Sequence, residues 1–119
     1  MDTNTPVIKL CIAGTRAEFL RQIDVARDFY RQAWDAAQDD YEACIAAHYL
    51  ARHQEDSRQT LHWNQVALAR AQAAGDARVE SFYPSLYLNL AASHETLGNQ
   101  AEAQRYYQMA ADMGFKHQP

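Results

Sequence analysis

The sequence predicts an all-α protein. Three observations lead there. No segment sustains an alternation of β-branched residues, glycine (four) and proline (three) are few among 119 residues, and apolar side chains recur at spacings of three and four. A hydrophobic content of 48% is enough for one continuous core, so one domain spanning 1–119 is expected.

Six helices follow from the punctuation. The first runs from Pro6 to Leu20. The run "RQID" separates it from the second, Asp24–Gln38. Asp39–Asp40 offers an N-cap for the third, Tyr41–His53, and "HQEDS" ends that helix and caps the fourth, Arg58–Ala74. In "AAGDA", Gly75 suits a helix C-terminus and Asp76 the next N-cap. The fifth pattern, Ala77–Leu97, contains Pro84, which removes one hydrogen bond and crowds the preceding turn, so a kink or a break is expected. Gly98 and Asn99 repeat the glycine-plus-cap device before the sixth helix, Gln100–Met113, which Gly114 ends. Short connections favour antiparallel hairpins, giving units of approximately 6–38, 40–75 and 77–114.

The bulk numbers exclude several functions. A net charge of −4 and a pI near 5.6 argue against a protein that tracks nucleic-acid phosphates. No apolar run reaches the ~18 residues of a membrane span, and "MDTNTPVIKLCIAG" lacks the basic start and long apolar stretch of a signal peptide. A cytoplasmic protein with no membrane partner is expected, with Cys11 and Cys44 reduced. The cysteines show no CxxC spacing. His48 and His53 lie five apart, about 140° round a helix, and do not chelate together. There is no HExxH, no GxxxxGK[ST] and no GxGxxG. No catalytic residue, metal ligand or cofactor is therefore expected, and Trp63 in "HWNQ" reads as a packing anchor between the second and fourth helices.

The pairs repeat. In the last, Tyr87, Leu90, Ala91 and His94 are followed by Ala103, Tyr107 and Ala110; in the first, Leu10, Ala13, Gly14 and Ala17 are followed by Ala26, Tyr30 and Ala33. "DVARDFYRQAWDAA" and "AEAQRYYQMAADM" are plainly related. The pattern resembles the tetratricopeptide repeat (TPR), whose first helix carries an aromatic, a Leu, a small residue and a Tyr, and whose second carries Ala, an aromatic and Ala. His94 departs from that pattern, and Phe115 stands where the family often has Pro. The alanines admit neighbouring helices and the tyrosine fills the angle between them. Stepping the first pair by the family's ~34 residues places His48, Thr60, Asn64 and Ala67 in the middle pair, where His48 and Asn64 fit poorly. A shifted register would use Ala46 and Tyr49 instead, but it would turn Glu42 and Arg52 towards the packed side, where unpaired charge is costly. From Thr60 to Ala103 is 43 residues, so the third hairpin is longer, like the extended variants that resemble those of bacterial signalling receptors. "DDYEACIAAHYLARHQ" and "SFYPSLYLNLAASHETLG" also look like a family of small bacterial TPR proteins, which implies no chemistry of its own.

The resemblance implies a right-handed α-solenoid of three hairpins, a non-enzymatic module that binds a peptide or partner protein on its concave face. The implied contact positions are Ile8, Cys11, Thr15 and Glu18; then Glu42, Ile45, Tyr49 and Arg52; then Ser85, Leu88, Ala92 and Glu95. The competing reading of any one of them is plain solvated surface. The carboxylate clamp of heat-shock co-chaperones is not expected, because the corresponding positions, Cys11, Thr15, Ala46, Ser85 and Asn89, supply no cation. An alternative role is self-association. A TPR array normally ends in a covering helix, and "GFKHQP" cannot form one. Either the array is cut short here, or another copy buries that face, with Tyr106, Met109, Met113 and Phe115 expected at a homodimer contact of roughly 500–800 Å² per partner. A small hydrolase or ligand sensor using His48, His53 or Glu95 is the remaining alternative and rests on residue types alone.

Overall fold

The computed structural model describes residues 5–114. They form seven helices, 83% of them are helical, and there is no strand among them. In chain order these are α1 (Pro6–Phe19), α2 (Ile23–Ala36), α3 (Asp40–Leu50), α4 (Ser57–Ala74), α5 (Ala77–Glu80), α6 (Tyr83–Thr96) and α7 (Gln100–Asp112). The most extensive contacts join α1 with α2, α3 with α4, and α6 with α7; α2 packs on α3, and α4 on α6. The chain is thus three successive helix pairs, stacked in order.

The caps explain the boundaries. Asp39 accepts from the Glu42 backbone N–H at 2.8 Å, Asp56 from Arg58 at 2.9 Å, and Asp76 from Arg78 at 3.0 Å, each satisfying an orphan donor of the following helix. Gly75 closes α4 at φ 60. The long fifth helix expected from the sequence is instead two. The chain breaks after Glu80, and Pro84 sits in the first turn of α6, where its missing N–H costs nothing. The expected third helix likewise stops as an α-helix at Leu50 and tightens into a 3₁₀ turn over Ala51–His53. Asn99 precedes α7 as expected but does not cap it. Its side-chain nitrogen lies 3.2 Å from His94 Nδ1 instead.

The outer pairs share one lock. Gly14 meets the Tyr30 ring so closely that a Cβ there would lie 2.8 Å from Tyr30 Cδ1. Ala91, Ala103 and Tyr107 form the equivalent cluster of the last pair. Tyr30 donates its phenolic hydrogen to Glu18, and Tyr107 donates to Glu95 at 3.1 Å, in both cases across twelve residues. The middle pair is held differently. Trp34 of α2 meets Trp63 of α4 edge-on at 5.1 Å, so Trp63 does anchor the second helix to the fourth. Around that pair lie Cys44, Ala47, Ala67 and Ala71, none more than 1% exposed.

Candidate functional site

A cleft opens between α1, α3 and α6, and its walls form two adjoining cavities. The first, about 350 Å³, is apolar, with Ile8, Ile12, Ile45, Tyr49, Phe82 and Leu86 in its lining. Cys11 and Cys44 also border it. Burial pushes their thiols up, to about 12 and about 11, so both behave as small apolar groups rather than nucleophiles. The second, about 520 Å³, is polar and reaches α4; His48, Arg52, Thr60, Asn64, Asn89 and Ser93 line it. His48 borders both cavities and stands at their junction. Both volumes lie in the range of ordinary ligand sites, ~300–1,000 Å³.

The edge of the cleft is a network centred on Glu18, whose side chain is only 11% exposed. Its carboxylate accepts from Tyr30 and pairs with Arg52 at 2.7 Å. His53 Nε2 lies 3.3 Å from the same carboxylate but lacks hydrogen-bond alignment. Arg52 also sits 5.7 Å over the Tyr49 ring, and Tyr49 stacks on Tyr30 at 5.2 Å. Burial and then the Glu18 contact hold the Tyr30 hydroxyl well above the usual phenol range, so it stays a donor. His48 is shifted the other way. Its burial, and then the Arg52 charge, lower its affinity for a proton, and its Nδ1 lies 3.4 Å from Asn89 Nδ2. The neutral imidazole can accept from that amide.

The structure brings together Glu18, Tyr49 and Arg52 of the expected contact set, with Ile45 inside the apolar cavity and 7% exposed. Thr15 is exposed, with its hydroxyl turned back to the Cys11 carbonyl at 2.9 Å. Three other positions are drawn into local structure. Glu42 accepts at 2.9 Å from the N–H of Gln38, the residue before the Asp39 cap, and so is tied to the start of α3. Glu95 accepts from Tyr107, and Leu88 is half-buried against the Ala91–Ala103–Tyr107 cluster. In α7, Tyr106 stacks on His94 at 5.7 Å and on Tyr87 at 6.1 Å, and Met109 Sδ lies 3.8 Å from the Arg105 guanidinium. Met113 is 45% exposed, and Phe115 lies outside the described residues.

Sequence reasoning missed the polar cavity lining of Thr60, Asn64, Asn89 and Ser93. The signal was present: Asn64 and His48 were the two misfits of the repeat pattern. It also missed the apolar turn between α1 and α2, where Phe19 is 87% and Leu20 65% exposed. Among the described residues no group of three His, Cys, Asp or Glu side chains could hold a metal ion, and no helix is long and apolar enough to cross a membrane. Compared with family models, curated proteins and solved structures, the chain matches none.

Proposed function

We propose that the three helix pairs are TPR-like hairpins of a right-handed solenoid, and that the cleft between α1, α3 and α6 captures a peptide or an extended segment of a partner protein. The observation that carries this reading is the apolar cavity of about 350 Å³ formed at the expected contact positions Ile8, Cys11, Ile45, Tyr49 and Ser85. First helices of three successive pairs converge on it, as an extended ligand crossing all three requires. The paired Glu18 and Arg52 would border the ligand at one end of the cleft, while the cavity supplies apolar contact.

The cleft is favoured over self-association through α7. Tyr106, the largest side chain expected at that contact, is already engaged by two rings of its own chain, which among the described residues leaves Met113, just past α7, as the exposed large apolar side chain there. A photocrosslinking amino acid at Ile12, which is 40% exposed at the cavity rim, tests the proposal in the source cells. A discrete crosslinked partner that disappears when Ile45→Glu is introduced, with helicity retained, is the expected result. Crosslinking that survives this change, or that forms equally well from position 113, contradicts the proposal.

A further inference from the structure

The middle helix pair departs from its neighbours at the positions that lock them. Where the outer pairs set a small residue, a carboxylate and a tyrosine (Gly14, Glu18 and Tyr30; Ala91, Glu95 and Tyr107), a step of about 34 residues places His48, Arg52 and Asn64. All three line the polar cavity, as does Thr60, which stands where the first pair has Ala26. The loss of the repeat pattern and the presence of the cavity therefore coincide in space. A repeat held only for packing has no reason to bury an asparagine in an aromatic slot, because a buried amide is costly unless its donors and acceptors are met.

Asn64 is 5% exposed and donates to Ser93 Oγ at 2.9 Å. Among the described residues this is its one side-chain hydrogen bond, so its oxygen and second hydrogen remain for another partner. Asn89 offers the same kind of group next to His48, and Thr60 adds a hydroxyl. Among the described residues, the one cation of the lining, Arg52, is already paired with Glu18 at 2.7 Å, and no carboxylate lines the cavity. The remaining groups are neutral and can both donate and accept, which matches an amide and does not match an ionised group.

We infer that the polar cavity is an amide-recognition pocket. It takes the side-chain amide of an Asn or Gln from an extended peptide whose neighbouring bulky apolar side chain fills the adjoining apolar cavity. This deepens the proposed cleft function and rests on it.

Selection from a random heptapeptide display library against the whole chain, followed by affinity measurement on the enriched peptides, tests the inference. The expected enrichment is one bulky apolar residue with Asn or Gln within three positions of it, and no excess of charge. Asn89→Ala and Thr60→Val should each weaken binding about five- to tenfold, the loss of roughly one hydrogen bond, while thermal unfolding shows both variants folded. Using two sites keeps the test usable if one variant unfolds. Binding that is abolished by Ile45→Glu yet unchanged by both polar substitutions overturns the amide pocket and leaves the cleft reading standing. Enrichment of acidic or basic peptides, or no enrichment at all, also overturns the inference, while crosslinking from position 12 decides separately whether the cleft holds a partner.

Discussion

Tyr30 and Glu18 are joined by a hydroxyl-to-carboxylate hydrogen bond between α2 and α1, and Tyr107 and Glu95 repeat it between α7 and α6. Both tyrosines are at least nine-tenths buried. Removing the Tyr30 hydroxyl takes a donor from Glu18, whose side chain is 11% exposed, whereas Glu95 is exposed and water can replace the Tyr107 hydroxyl. Tyr30→Phe should therefore lower unfolding stability by about 1.5–3 kcal/mol, the usual worth of a bond to a charged group, and Tyr107→Phe by about 1 kcal/mol or less. Urea denaturation of the two variants measures this, and a larger cost for Tyr107→Phe would contradict it.

The ring of Tyr30 occupies the space a side chain on Gly14 would need. Gly14→Ala forces the ring, or the whole of α2, away from α1. A loss of about 3 kcal/mol is expected, at the upper end for overpacking. Ala91→Gly, at the matching position of the last pair, should cost only about 1 kcal/mol from helix propensity and lost burial. Thermal unfolding of the two variants distinguishes a steric lock from a position that merely tolerates small residues.

Much of this architecture was legible in the residues. The outer pairs could be read because Gly14 with Tyr30, and Ala91 with Tyr107, keep the same spacing, and size complementarity leaves a clear mark in sequence. Asp39, Asp56 and Asp76 could be read because a carboxylate before a helix has a local job. The site was less legible. Glu18 and Glu95 look like exposed charges on a helix face, and only the fold shows the tyrosine hydroxyls that claim them. Asn89 and Ser93 come from a different pair than Asn64 and His48, and their meeting depends on how α6 stacks on α4. No local pattern encodes that.

Arg21 and Gly98 end the first helices of the outer pairs in the same left-handed backbone conformation, at φ 61 and 82. Each is followed by the same returning hydrogen bond, Gln22 N–H to the Ala17 carbonyl and Asn99 N–H to the His94 carbonyl, both at 2.8 Å. A side chain is strained there and glycine is not. Arg21→Gly should stabilise the chain by about 0.5–1 kcal/mol, and Gly98→Ala should destabilise it by about 1 kcal/mol. Opposite shifts in urea midpoint are the expected reading.

His48 links stability to pH. Its folded-state pKa lies below the ordinary 6.5, so the unfolded chain binds a proton more readily than the folded one. The resulting stability is fully present above about 6.5 and is lost as pH falls from there through the folded value. His48→Gln should flatten the stability profile over that window. An unaltered slope just below pH 6.5 would show that His48 is not held neutral.

The most direct test of the binding cleft is a ¹⁵N–¹H chemical-shift titration with a heptapeptide enriched by selection. Shifts concentrated at Ile12, Ile45, His48, Asn89 and Ser93 are expected, with the Phe19–Val25 turn and the Met109–Met113 stretch at the end of α7 unmoved. Shifts centred on that turn or on α7, with the α1, α3 and α6 cleft silent, would contradict binding in the cleft.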